Sequence, residues 1–159
     1  MTRRQLFQFL STLGLAPAAT VATGQAPTVE KITLSNAEWQ RRLSPAQYQV
    51  LRDHGTERAG TSPLNTAKRA GTYHCAGCDL PLFGASSKYD SGTGWPSFFA
   101  ALPGAVGTST DFKMVLPRTE YHCARCAGHQ GHVFDDGPKP TGKRYCNNGV
   151  ALRFAAAAA

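Results

Sequence analysis

The sequence predicts a mainly β domain of antiparallel strands, with two short helices at its N-terminal end. The chain has 159 residues, enough for one domain of ordinary size. Its 16 glycines and 10 prolines indicate many turns. Between those turns lie short runs of apolar, aromatic and β-branched residues that are typical of strands, whereas the helix start signals lie before residue 56.

Residues 1–26 are expected to be a targeting segment rather than part of the fold. Arg3 and Arg4 form a twin-arginine pair, an interrupted apolar stretch spans residues 9–21, and a small-x-Ala cleavage pattern closes the segment. The apolar stretch is too short to span a membrane. We therefore predict a twin-arginine-type signal peptide, which would export the protein in folded form to the periplasm. The domain then covers residues 27–159. The alternative is that residues 1–26 are a disordered tail.

Two helices are predicted at the start of the domain. The first covers the apolar positions between residues 37 and 43. The second begins at Ser44, a good N-cap, with Pro45 at the first helical position, and it is expected to stop at Gly55. The polar stretch 56–70 then predicts a long connection.

From Gly71 onwards the pattern changes to strands and turns. Turn-forming runs at 90–94 and 135–142 separate the apolar segments. Besides a strand that leads into Cys123, strands are predicted at 72–74, 80–83, 88–89, 112–116, 131–134, 144–146 and 150–154.

Four of the five cysteines lie in two nearly identical segments, Tyr73-His74-Cys75-Ala76-Gly77-Cys78 and Tyr121-His122-Cys123-Ala124-Arg125-Cys126. A pair of Cys-x2-Cys motifs is typical of a structural zinc site with four thiolates. The sequence therefore predicts Zn²⁺ bound by Cys75, Cys78, Cys123 and Cys126. Disulfides are the alternative in an exported protein, but bridges within a Cys-x2-Cys motif close tiny loops and stabilise little.

The fifth cysteine, Cys146, could be an intermolecular bridge, a buried bystander or a reactive thiol. Its neighbours favour the reactive thiol. Arg144 would favour the thiolate, Asn148 follows closely, and His129 and His132 could donate a proton.

The formal net charge of +7 first suggests nucleic-acid binding. The cations are scattered, however, without a run of five or an interleaving of basic and aromatic residues. We therefore expect a solvated basic surface and no nucleic acid or membrane partner.

Two longer motifs, Lys88 to Phe98 and Gly128 to Asn148, resemble the methionine sulfoxide reductase B family, and the resemblance covers residues 36–154. It implies two antiparallel β-sheets with short N-terminal helices and a structural zinc away from the active site. The implied activity is reduction of the R epimer of methionine S-oxide in oxidised proteins, with the free amino acid as a further candidate. We expect a monomer.

The resemblance also implies roles for individual residues. Cys146 matches the catalytic nucleophile, which becomes a sulfenic acid. His129 and His132 match the pair that binds and protonates the sulfoxide oxygen, and Asn148 matches a residue that orients them.

Three further residues match the substrate-binding part of the site. Trp95 matches the wall against which the substrate methyl group lies. Arg144 matches a residue near the thiolate, and Phe134 is expected to contact the substrate as well.

The chain departs from the family pattern at three positions. Many members carry a resolving cysteine where this chain has Thr93, so we expect an external reductant, either a thioredoxin-like protein or a small thiol. Gln130 and Gly149 replace a usual apolar residue and a common serine, and both are expected to loosen the site slightly.

A thiol–disulfide oxidoreductase and a zinc-ribbon binding module are the competing hypotheses. The first would need a βαβ setting, and the second gives Cys146 no role.

Overall fold

The computed structural model describes residues 29–113 and 116–158, which form two antiparallel β-sheets and two short α-helices. This confirms the predicted fold class. The predicted signal segment lies outside the described residues. Within the described ranges, no helix is both long enough and apolar enough to span a bilayer.

Helices α1 (Asn36–Arg42) and α2 (Pro45–Leu51) open the domain as predicted. In each helix a serine N-cap and the residue three positions later form a reciprocal capping box, Ser35 with Glu38 and Ser44 with Gln47. These caps satisfy backbone N–H groups that a helix start otherwise leaves without partners. Seven-residue helices are thereby given defined starts.

Helix α2 ends at Leu51, earlier than the predicted stop at Gly55. His54, three residues beyond the helix, adopts the left-handed backbone conformation, with φ 55°. Gly55 is needed for another reason, because its N–H donates to the carbonyl of Gln49 at 2.9 Å and a Cβ there would lie 2.8 Å from that oxygen.

The smaller sheet has three strands in the order β2-β1-β9, and the larger sheet has six in the order β3-β4-β8-β7-β6-β5. All neighbouring strands are antiparallel. The strands are β1 (Gly71–Cys75), β2 (Pro81–Gly84), β3 (Lys88–Tyr89), β4 (Ser97–Phe98), β5 (Val106–Asp111), β6 (Arg118–Cys123), β7 (His129–Phe134), β8 (Arg144–Asn147) and β9 (Leu152–Ala156).

The strand predicted at 112–116 is wrong. The strand in this region is β5, which ends at Asp111, and Phe112 and Leu116 are each 75 % exposed beyond it; Met114 and Val115 lie outside the described residues. Strand β5 escaped prediction because its central residues are polar and exposed, as an edge strand allows.

The last strand also differs from its prediction. It begins at Leu152 instead of Val150, because residues 149–151 form a 3-10 turn, and it runs into the terminal alanines as far as Ala156. Ala155 and Ala156 therefore belong to the small sheet, where they pair with Thr72 and Gly71.

A buried aromatic cluster joins the two sheets. Tyr73 and Phe83 come from the small sheet, and Phe98 and Tyr121 come from the large one; all four are fully buried. Phe83 stacks on Phe98 with ring centroids 4.2 Å apart and meets Tyr121 edge-on at 6.1 Å. Because side chains alternate along a strand, one face of the large sheet is fixed by this packing and the other is free to carry polar groups.

Candidate active site

The register of the large sheet places four polar side chains in one row. Ser97 of β4 lies opposite Cys146 of β8, Cys146 lies opposite His132 of β7, and His132 lies opposite Glu120 of β6. Directly paired residues point to the same face, so the thiol has an imidazole and a hydroxyl as cross-strand neighbours.

A bulge brings His129 onto this face. Residues three apart on a regular strand point to opposite faces, so His129 and His132 could not otherwise meet. The pairing of β6 with β7 passes from Gly131 directly to His129, leaving Gln130 without a partner across the ladder. Because Gln130 is an extra residue in β7, His129 points to the same face of the sheet as His132. The two imidazole centroids lie 5.5 Å apart.

Cys146 is half-buried in a cavity of about 190 Å³. Six of the seven predicted catalytic and substrate-binding residues line it, together with Thr56, Thr93 and Arg118. These six are Cys146, His132, Asn148, Trp95, Arg144 and Phe134. The seventh, His129, lines a neighbouring cavity of about 240 Å³ that shares His132.

Burial raises the pKa of the Cys146 thiol. Thr93, whose Oγ1 lies 3.9 Å from Sγ, and the Arg144 guanidinium act in the opposite direction but do not outweigh burial. Arg144 is held by two hydrogen bonds to Asp136, at 2.7 and 2.8 Å, and its guanidinium lies 4.2 Å above the Phe134 ring.

Each histidine is held by a carboxylate that the sequence did not indicate. His132 Nε2 lies 2.7 Å from Asp111 Oδ2, and His129 Nδ1 lies 2.9 Å from Glu120 Oε1. Burial lowers the pKa of His132, while Asp111 opposes this shift. Burial alone would raise the pKa of Glu120, but hydrogen bonds, from His129 foremost, lower it to about 2.

Glu57 is another residue that sequence reasoning missed, since it lies in the stretch predicted as a plain connection. Its carboxylate accepts hydrogen bonds from the N–H groups of Gly149 and Val150. Its own N–H donates to Asn148 Oδ1 at 2.9 Å, and its carbonyl accepts from Trp95 Nε1 at 3.1 Å. Glu57 thus fixes Asn148 and Trp95, two residues that line the Cys146 cavity, called the thiol pocket below.

Gln130, one of the departures from the family pattern, is hydrogen-bonded inside the fold. Its side chain is fully buried, with Nε2 3.4 Å from Cys75 Sγ and Oε1 accepting from Asn147 Nδ2 at 3.4 Å. Its carbonyl accepts both the N–H and the side-chain amide of Asn148, at 2.8 and 3.0 Å. Gln130 therefore connects the cysteine cluster with strand β8.

Ser62 packs so closely against Gly149 that a side chain at position 149 would clash with it. A Cβ at position 149 would lie 1.9 Å from Ser62 Oγ and 2.5 Å from Ser62 Cβ. The absence of a side chain here accommodates the buried serine.

The four cysteines of the Cys-x2-Cys motifs converge as predicted, and their sulfur atoms all lie within 4.8 Å of one another. Sγ–Sγ distances are 3.7 Å for Cys75 and Cys126 and 3.4 Å for Cys78 and Cys123. All five cysteines of the chain are free thiols, which goes against the disulfide alternative. A zinc–sulfur distance of about 2.3 Å in a tetrahedron implies sulfur separations of about 3.8 Å, so the cluster fits a metal ion.

Comparison with known proteins agrees with this arrangement. Residues 43–156 match the SelR domain model. The chain is 50 % identical over 128 residues to a peptide methionine sulfoxide reductase MsrB of Agrobacterium fabrum, covering 80 % of this chain and 95 % of that protein. A protein of the same name from Pseudomonas putida is 53 % identical over 127 residues, covering 79 % and 96 %. The chloroplastic reductase B1 of Arabidopsis thaliana is 51 % identical over 126 residues, covering 79 % and 62 %. The chain belongs to the methionine sulfoxide reductase B family.

Proposed function

We propose that this protein reduces the R epimer of methionine S-oxide in oxidised proteins to methionine, with thiols as the source of electrons. The observation that carries the proposal is the pairing of Cys146 with His132 in a cavity walled by Trp95 and Phe134. The choice of the R epimer rests on membership of the family.

The reaction starts with attack of the Cys146 sulfur on the sulfoxide sulfur. The sulfoxide oxygen is a poor leaving group until it is protonated, so an acid must lie within hydrogen-bond reach. The S–S bond formed by the attack breaks as the protonated oxygen passes from the substrate sulfur to Cys146, so methionine leaves with two more electrons than the sulfoxide held and Cys146 becomes a sulfenic acid. The thiol proton replaces the one that the acid has given up, so the step is balanced.

His132 is the proton donor that the geometry favours. It lies across the ladder from Cys146 and lines the same cavity, whereas His129 lines the neighbouring one. Burial lowers the pKa of His132, which makes its protonated form a stronger acid. We assign His129 to holding the network through Glu120, and Asn148 to orienting the cavity wall through its contact with Glu57.

Trp95 and Phe134 bind the substrate methyl group by dispersion and by burying its apolar surface. The indole N–H of Trp95 is fixed by the Glu57 carbonyl, and the Phe134 ring is fixed beneath Arg144. Two aromatic rings with fixed orientations can hold a group as small as a methyl.

An external thiol completes the cycle. Thr93 Oγ1 lies 3.9 Å from the Cys146 sulfur, and threonine cannot form a disulfide. The other four cysteines lie in the cluster and line neither cavity. Two equivalents of a small thiol, or one thioredoxin-like dithiol, therefore reduce the sulfenic acid to the thiol and release water.

We also propose that the four clustered cysteines bind a structural Zn²⁺. Four thiolates at tetrahedral separations support this. A zinc ion there ties β1 to the β6–β7 connection, and the contact of Gln130 with Cys75 extends that support to β8.

Export through the twin-arginine route remains part of the proposal for residues 1–26. Fractionation of cells expressing the full chain, with Arg3 and Arg4 replaced by lysine as the control, tests it. Periplasmic wild type and cytosolic variant are expected; a cytosolic wild type would contradict the proposal.

Turnover with each separate epimer of a methionine sulfoxide peptide, with dithiothreitol as reductant, tests the function. Activity is expected on the R epimer only. Cys146→Ser is expected to abolish it while one zinc per chain remains bound. Activity on the S epimer, or retained activity of the variant, would reject the assignment.

A further inference from the structure

A second group of metal-ligating side chains lies beside the thiol pocket, at the 240 Å³ cavity. One ring nitrogen each from His54 and His129 and one carboxylate oxygen of Glu120 lie within 4.8 Å of one another. We propose that these three residues form an open site for a divalent transition-metal ion of the Zn²⁺ class, and that the bound ion inhibits the reductase.

The Glu120 carboxylate favours a cation at this position. Its side chain is buried, and it accepts hydrogen bonds from Ser109, His122 and His129. None of these partners carries a permanent positive charge, so none of them balances the carboxylate with a fixed cation. A divalent ion would supply the missing charge.

The carboxylate is also oriented for binding. Ser109 Oγ and His122 Nδ1 both contact Oε2, at 2.7 and 3.0 Å, whereas Oε1 faces His129. Because Ser109 and His122 hold Oε2, the position of Oε1 is fixed as well. Supporting hydrogen bonds orient the ligands of established metal sites in the same way.

His54 supplies the third ligand from a defined backbone position. It follows helix α2 in the left-handed conformation, and the hydrogen bond of Gly55 to Gln49 holds the turn. Its ring centroid lies 5.1 Å from that of His129. Its side chain is exposed, so an ion can reach the site from solvent.

The donor set indicates the class of ion. Two imidazoles and one carboxylate are a common ligand set of zinc sites that keep a fourth position open, and imidazole also suits copper, iron and nickel. The adjoining cavity leaves room for water at that position. The cysteine cluster, with four thiolates, has no such open position.

Occupation of this site would act on the reaction through His132. The His129 and His132 centroids are 5.5 Å apart, and the two cavities share His132, Thr56 and Arg118. In the proposed function His129 holds this network through its hydrogen bond to Glu120, and an ion bound by both residues would take the place of that hydrogen bond beside His132. The ion would therefore slow the step that forms the sulfenic acid.

Zinc binding to the zinc-loaded Cys146→Ser protein tests the site without any need for activity. Equilibrium dialysis against Zn²⁺ is expected to give one further zinc per chain. Adding His54→Asn is expected to weaken that binding by about tenfold or more. Loss of a residue that only hydrogen-bonds to a metal ligand already lowers metal affinity by about tenfold, and His54 is a ligand itself. Asparagine tolerates the left-handed backbone of His54. Asp53→Asn, an exposed neighbour outside the trio, is the matched control and is expected to bind normally.

Single-turnover reduction of the sulfoxide, without thiol reductant that would chelate the ion, tests the inhibition. Zn²⁺ is expected to slow methionine formation in the wild type, and His54→Asn is expected to require about tenfold more zinc or greater for the same effect. No further zinc in dialysis, or equal binding in the His54 variant and its control, would overturn the site. Unchanged methionine formation at saturating zinc would overturn the inhibition. A protein that forms no methionine even without added zinc would contradict the proposed function instead, and the dialysis result would stand.

Discussion

Thr93→Cys should convert this enzyme from one that depends on an external thiol into one that forms an internal disulfide. Thr93 Oγ1 lies 3.9 Å from Cys146 Sγ, so a sulfur atom on the same Cβ can approach the sulfenic acid after a small rotation. The incoming thiolate would attack the Cys146 sulfur and release water.

The magnitude follows from the loop that the new bond closes. The two residues are 53 positions apart, so the loop-entropy model gives a stabilisation of about 4 kcal/mol for the oxidised variant over its reduced form. Strain in the pocket would reduce this figure. For a chain of this size each kcal/mol corresponds to a rise of about 2–4 °C in Tm.

Intact-mass measurement after one turnover without reductant separates the two outcomes. The wild type should gain about 16 Da as the sulfenic acid, whereas the variant should lose about 2 Da as the disulfide. Thr93→Ser, which keeps a hydroxyl, should behave as the wild type. A variant that keeps the sulfenic acid, or a wild type that forms an internal disulfide, would refute the reasoning about position 93.

Three other substitutions probe contacts around the pocket. Glu57→Gln replaces one of the two accepting oxygens by an NH2 donor that faces a backbone N–H of the 149–150 turn, so kcat/KM should fall about tenfold in steady-state assays, equivalent to about 1.4 kcal/mol. Asp136→Asn removes a charge that raises the pKa of Cys146, so more thiolate should be present at pH 7 and iodoacetamide should alkylate the thiol faster; an unchanged rate would argue against that coupling. Gly149→Ser should lower the free energy of unfolding by about 2 kcal/mol in urea titrations, and adding Ser62→Gly should recover part of the loss if the 1.9 Å clash is its cause.

The features that sequence predicted best depend on local spacing. The two Cys-x2-Cys motifs and the helix start at Ser44 are set by a few neighbouring residues, and the structure has them as predicted. Apolar alternation was misleading at 112–116, because Phe112 and Leu116 are exposed while the polar strand β5 pairs with β6.

The partners of the site residues could not be predicted in the same way. Glu120 and Asp111 reach the histidines across neighbouring strands, and Glu57 reaches Asn148 over 91 positions of sequence. The bulge at Gln130, which aligns the two histidines, depends on strand pairing that no local pattern reveals. Registers and long-range contacts of this kind become visible only in the folded chain.

The central claim is that one thiol, Cys146, reduces one R-epimer sulfoxide and then remains a sulfenic acid until an external thiol reduces it. The most direct measurement is the amount of methionine formed per chain from each epimer, without any reductant, in the zinc-loaded protein. One equivalent from the R epimer, none from the S epimer and none with Cys146→Ser is the predicted result. Two equivalents from the wild type, or any stoichiometric yield without Cys146, would contradict the account.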